Sequence, residues 1–459
     1  MNIVIAMFVS VFIKGISAII ELALQMLISN GAGIEGYGNY VFFVSVIECV
    51  YYLFFSANVK VNTYYLSSDD SNIQVYKKKY ICRFLIPICC TIFVFFMVKR
   101  NAYGIMASVT LPLLFGAYDL SSTLMARKKQ LVALLGEYLF GRIVFLILIL
   151  ASLKYLFVSG KMLFLFYGVQ FLVIVIWLLP FAKKIRFSTK ETKVSISKVW
   201  NYQKSDIANA IITYFPAILQ FIFVGAFETG FTGIITVIRR VINFISGPTS
   251  KIFLPEMSKL YKMGDKPALQ KTYVMIVKIQ MIFIGTIATA LISFPYYWLQ
   301  LFSKDLKDNV GIFLMATACF LIISSLGPIV GILQMTGNES ICARNQWISI
   351  GVMIAIMRIL HKNPYFAVYG LSVQALTEGI LEYVSISRWL GKQIIDFRTL
   401  IVLLAPVILS STFVYLFHLR GMYVMLADIA IVFLCEAVVA SRDPMVCEAV
   451  KCLVKGNKN

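Results

Sequence analysis

Five basic residues stand inside long apolar runs: Lys14, Arg142, Arg239, Arg240 and Lys278. A cation near the centre of a bilayer costs about 2.5–3.5 kcal/mol, so each of them needs a carboxylate, water or an anionic ligand. Glu21, Glu48, Asp119, Glu137, Glu378 and Glu382 lie in runs of the same kind. Two chemistries follow from these residue types. The cations can receive an anionic group, and the acids can carry a coupling proton, with Glu48, Glu378 and Glu382 as candidates. Glu378 and Glu382 are four residues apart and share a helix face with Gln374 and Ser385. The bland reading is that acids and cations simply neutralise one another. Lys14 and Arg239 sit on polar stripes, which favours function. Arg142, near Glu137, and Lys278, near a helix end from which it can snorkel, divide evenly between the two readings. Arg358, His361 and His418 fall at outer boundaries, and none of them reads as catalytic.

The elements that must position these groups follow from periodicity. In a first helix over 3–29, Ser10, Lys14, Ser17, Glu21, Gln25 and Ser29 recur at steps of three or four, so they share one face. A second helix over 40–55 presents Ser45, Glu48, Tyr52 and Ser56 in the same way. Between them, the glycine-rich residues 31–40 read as the tip of a transmembrane hairpin. In lipid such stripes must face protein or water, which predicts one wall of a polar cavity inside the bilayer.

Composition agrees. Of 459 residues, 60% are hydrophobic and 14% charged, and the mean hydropathy is +0.84. This excludes a soluble domain and predicts an all-α polytopic membrane protein. The net charge of +20 reports loops facing anionic lipid rather than nucleic acid. Nine cysteines lack metal-ligand spacing and read as packing residues, so neither a metal nor a cofactor is expected. The first run is too long for a signal peptide and reads as a retained helix.

Fourteen apolar runs are expected: 3–29, 40–55, 81–98, 102–124, 131–153, 162–182, 206–227, 231–254, 273–302, 310–335, 346–360, 365–389, 400–417 and 422–440. They divide into a six-helix lobe (1–182), a linker (183–205), a second six-helix lobe (206–390) and two further helices with a tail (391–459). With the N-terminus inside, 28 of the 42 Lys and Arg fall in cytoplasmic segments and 8 outside, so both termini are expected to be cytoplasmic. The stretch 255–271, with its lysines, is expected to lie on the cytoplasmic surface. Gly31-Ala32 through Gly38 finds an echo in Gly225-Ala226 through Gly233. The seventh helix carries Asp206, Asn209, Thr213 and Gln220 on one face, and the eighth carries Thr232, Thr236, Arg239, Asn243 and Ser250. Two similar six-helix blocks in parallel repeat are expected around a central cavity, with substrate between the lobes.

Residues 33–40, Gly-Ile-Glu-Gly-Tyr-Gly-Asn-Tyr, resemble a glycine signature of bacterial polysaccharide and O-antigen flippases. These belong to the multidrug/oligosaccharidyl-lipid/polysaccharide exporter superfamily. Phe253–Ser258 with Lys262–Asp265, Leu333–Asn338 and Val368–Leu371 agree with it. The resemblance implies translocation of an undecaprenyl-diphosphate-linked oligosaccharide across the bacterial inner membrane, without catalysis. It also implies membrane lipid, a polysaccharide polymerase and a chain-length regulator as partners. Lys14, Arg142, Arg239, Arg240 and Lys278 would then receive the diphosphate and sugar, arginine through a fork that matches phosphate oxygens. Lys14 and Arg239, each towards mid-depth, are expected to act jointly. Helices thirteen and fourteen exceed the family's twelve.

Two rivals remain. A small-cation drug antiporter of the same superfamily would want acids and aromatics in its cavity without Arg239-Arg240. A membrane polymerase would want a long outer loop, and the outer loops here are short. There is also no Walker A sequence, so ATP hydrolysis would have to come from another protein.

Overall fold

The computed structural model describes the chain except residues 1–2, 67–72, 99–101, 128, 156–159, 186–192, 244–256, 258–259, 262, 336–337, 391–396, 418–420 and 443–459. Ser250, most of the 253–258 motif, the middle of the linker, His418 and the basic tail lie outside the described residues, as does the side chain of Ser10. Among the described residues the chain is helical, without strands. Among the described residues each of the fourteen apolar runs is largely helical, with breaks at 224–225, 294 and 326–328. Among the described residues eight helical stretches are long and apolar enough to cross a membrane. This is a multi-pass, all-α membrane protein.

The chain divides into two compact units, residues 1–234 and 235–459. The first contains α1 (Ile3–Phe54), α2 (Ala57–Tyr65), α3 (Gln74–Tyr80), α4 (Ile86–Val98), α5 (Ala102–Ala126), α6 (Gln130–Leu134), α7 (Gly141–Tyr155), α8 (Gly160–Lys183) and α9 (Ile196–Phe223). It also holds the first half of α10 (Ala226–Asn243), whose second half opens the other unit. There follow α11 (Lys266–Ser293), α12 (Pro295–Phe302), α13 (Val310–Ser325), α14 (Ile329–Met335), α15 (Glu339–Ile359), α16 (Phe366–Leu390), α17 (Phe397–Leu416) and α18 (Met422–Arg442).

The glycine stretch differs from a simple loop. Helix runs through it with one interruption, Gly33 at φ 69° and ψ 167°. The apolar stretch Phe12–Phe54 would measure about 65 Å as a straight helix, about twice a hydrocarbon core, so it supplies two crossings that meet at this residue. One residue in the left-handed region suffices because helix resumes at once on its far side. Gly38 serves another purpose. A methyl group there would collide with the backbone of Ala226 and Gly230, and one on Gly230 would meet the Ile34 carbonyl. The two echoing glycine segments therefore touch backbone to backbone within the first unit. The echo extends to the break itself, since Gly225, between α9 and α10, is also at positive φ.

The polar stripe turns inward as its spacing predicts. Ser17, Gln25, Ser29, Ser45, Glu48 and Ser56 are buried and Lys14 and Glu21 are partly so, while Phe12 and Ile19 on other faces are about 70% exposed, as lipid contact requires. The start of α9 and the middle of α5 clamp the far end of the second crossing. Asp206 accepts from Ser56 at 2.8 Å and pairs with Lys60 at 2.6 Å, and Gln203 donates to the Tyr52 and Leu53 carbonyls. Asp119 accepts from Asn62 at 2.8 Å and pairs with Lys77 at 3.0 Å. Part of the stretch expected at the surface is helical. From Lys266 it is already α11, capped by Asp265, whose carboxylate accepts from the Ala268 amide at 3.0 Å.

Candidate functional site

In the first unit the intramembrane charges gather where α1, α5 and the segment before α7 meet. Residues Leu135–Phe140 form a π-helical turn between α6 and α7. Such a turn fits one extra residue into the helix and lets neighbouring side chains find different partners. Ser121 of α5 donates to Glu137 at 2.6 Å, and the next residue, Tyr138, lies under the Lys14 ammonium, 5.1 Å from ring centroid to Nζ. Arg142, one turn on, reaches α1, where its Nη1 pairs with Glu21 Oε2 at 2.5 Å and donates to the Ser17 carbonyl at 3.0 Å. Both partners keep part of their side chains exposed, 26% for Arg142 and 21% for Glu21. Lys14 and Arg142 both act electrostatically on Glu137.

Glu48 faces another way. Its Oε1 accepts from the Tyr167 hydroxyl of α8 at 2.5 Å. Tyr167 stands in a chain of ring contacts with Tyr40 and Phe171, which passes through Tyr118 and Tyr51 to Tyr52 and Tyr214. Three carboxylates, two cations and several phenols thus stand within the first unit. Such a surface can hold an anionic head on its cations, and hydroxyl-rich or cationic groups on its acids and rings.

In the second unit Arg239 lies over the Phe320 ring at 5.4 Å, and Glu378 of α16 is the acid that acts on it. Gln374 donates to Glu378 at 2.6 Å and to Ser349 of α15 at 3.2 Å. Asn345 donates to Ser385 at 3.0 Å, and Ser324 of α13 donates to Asn243 at 2.5 Å. Glu378 and Glu382 are both buried, on the face their spacing predicts. Arg240 is exposed and Lys278 half-buried.

Sequence reasoning placed the polar faces but not all their partners. Arg142 was expected beside Glu137, and its ion pair is with Glu21. Tyr138 lies beneath Lys14, and Tyr167 bonds Glu48. Asn209 is exposed, although the face it shares with Asp206 and Gln220 is otherwise buried. Tyr138, Ser121, Tyr167 and Gln203 were not singled out. The adjacency of Glu137 and Tyr138 in an otherwise apolar run was the signal available for one of them.

No protein-family model matches the chain, and no curated protein matches it. Solved structures do. The lipid II flippase MurJ in an inward closed conformation aligns over 95% of this chain and 99% of its own, with TM-score 0.69 and 12% identity. The fold is that of the MOP-superfamily transporters. An inward-facing multidrug resistance MATE transporter of that superfamily aligns over 84% of this chain and 98% of its own, with TM-score 0.63 and 13% identity. A Pyrococcus furiosus MOP transporter, described as having a binding pocket of reversed polarity, aligns over 84% and 94%, with TM-score 0.56 and 14% identity.

Proposed function

We propose that this protein is a flippase that moves an undecaprenyl-diphosphate-linked oligosaccharide, an O-antigen or similar repeat unit, across the bacterial inner membrane by alternating access. Lys14 and Arg142 carry the reading, because they are held inside membrane-crossing helices on the protein-facing side. A prenyl tail can remain in lipid while a diphosphate needs cations at membrane depth, and arginine can meet it with two parallel hydrogen bonds. Arg142 would release Glu21 to do so. Arg239, Arg240 and Lys278 are the corresponding candidates of the second unit, with Glu48, Glu378 and Glu382 as coupling acids. Both termini are placed in the cytoplasm by the charge distribution. Neither role requires catalysis. A polysaccharide polymerase and a chain-length regulator are the partners this function calls for.

A second reading has an observation in its favour. Glu48 bonded to Tyr167, among several further tyrosines, is a surface suited to an organic cation, as in a drug antiporter of the same fold. Deleting the gene separates the two. A flippase defect accumulates lipid-linked repeat units on the cytoplasmic face, a polymerase defect leaves single units delivered outside, and loss of an antiporter changes neither.

A further inference from the structure

The last described helix of the second unit carries two acids, Asp428 and Glu436. Glu436 is on α18, the last described helix, among residues such as Ile431, Phe433, Leu434 and Val438 that are exposed. Its own side chain turns the other way and is 1% exposed. It enters a notch on α11 that exists because residue 285 is glycine. A methyl group at that position would occupy the place of the Glu436 carboxyl oxygens. Thr286 donates to Oε2 at 3.2 Å, and Oε1 has no hydrogen-bond partner among the described residues. The Gly285 carbonyl at the notch already accepts from Thr289.

Among the described side chains no cation pairs with this carboxyl. On α11, Lys278 is seven residues from Gly285, about 10 Å along the axis. On α18, Asp428 is eight residues from Glu436 and takes both of its bonds from Ser410 of α17. Arg442 ends α18, Arg398 stands in the first turn of α17, and Ser411 of α17 is bonded to Ser293. A bare carboxylate in a dry helix seam is expensive, whereas a carboxylic acid is neutral and keeps its bond from Thr286. One carboxyl and one hydroxyl offer too few oxygens to replace the hydration shell of a metal ion.

From this geometry we infer that Glu436 is a proton-binding site, seated in the Gly285–Thr286 notch between α11 and the C-terminal helix pair. Binding moves one proton from water to a carboxylate oxygen, and release leaves a charge in the seam that loosens α18 from α11. The site is separate from the polar groups proposed to meet substrate, and its test needs no substrate. The full chain in lipid vesicles is compared with Glu436→Gln by infrared spectroscopy across a pH series in choline buffer. The expected difference is a protonated-carboxyl C=O stretch, present at neutral pH in the native protein only and lost as pH rises. Amide exchange in α18, corrected for the intrinsic rise of exchange with pH, rises over the same interval in the native protein and stays flat in Glu436→Gln, which keeps the size and hydrogen bonding of the acid. If the Gln variant removes no protonated-carboxyl band, or if exchange in α18 rises equally in both proteins, the assignment is overturned. If sodium in place of choline abolishes the band at constant pH, the site takes a metal cation and the proton assignment falls.

Discussion

Replacing Gly38 with alanine tests the glycine contact between the second crossing of α1 and the start of α10. In an ordinary helix interior the change would be favourable, since alanine exceeds glycine by about 1 kcal/mol in helix propensity. Here the new methyl would meet the carbonyl of Ala226 and the amide nitrogen of Gly230, both backbone atoms of a helix that cannot step aside locally. Overpacking of a rigid site costs about 1–3 kcal/mol or more, and overlap with a backbone carbonyl puts this site at the upper end, so after the propensity gain the net effect is a loss of about 2 kcal/mol or greater. Gly233→Ala provides the graded comparison. Its methyl would meet the ends of the Val41 and Tyr37 side chains, which can rotate, so its loss should be smaller. Gly33→Ala would meet no atom within 4 Å and should lose about 1–2 kcal/mol from left-handed backbone strain alone. Thermal unfolding of the purified proteins in one detergent gives the ranking, with Gly38→Ala below Gly233→Ala. Equal midpoints for native protein and Gly38→Ala would refute the close backbone approach.

Three further outcomes are expected. Asp206→Ala removes the acceptor shared by Ser56 and Lys60; because Lys60 is 41% exposed, the ion pair contributes little and the loss, about 1–2 kcal/mol by thermal unfolding, comes mainly from the buried Ser56 bond. Glu378→Gln should alter the pH profile of transport in vesicles more than substrate affinity, as expected of an acid that exchanges a proton, and an unchanged profile would make the residue structural. A reporter fused at Lys193 should be active only in the cytoplasm, while one at Gly36 should report the outer side; the reverse pattern would invert the topology.

The features legible in the sequence were those that lipid enforces along a single helix. Lys14, Ser17, Glu21 and Gln25 could be assigned to one face because 3.6-residue periodicity and the cost of exposing polar atoms to hydrocarbon leave no other arrangement. The same argument placed Gln374, Glu378 and Glu382 together. Partners across helices were not legible, because they depend on crossing angles and axial offsets that one sequence does not encode locally. Arg142 is five residues from Glu137, yet the π turn gives Glu137 to Ser121 and lets Arg142 reach Glu21. The glycine stretch announced a break but not its position, since Gly33, Gly36 and Gly38 look alike in sequence and only the first leaves the helix. Glu436 escaped notice because no polar residue stands three or four places from it in its apolar run, and its significance lies in a glycine on another helix.

The cations of the first unit are the centre of the functional account. The deciding measurement is movement of an undecaprenyl-diphosphate-linked oligosaccharide in vesicles holding the native protein, Lys14→Ala, Lys14→Arg or Arg142→Ala, each matched for folded protein. The account expects export to fall at least tenfold in both alanine variants and to survive in part in Lys14→Arg, where the charge is kept. Native rates in the two alanine variants would contradict it, as would rescue of Lys14→Glu by Glu48→Lys, which would show that the lysine serves an ion pair instead of the diphosphate.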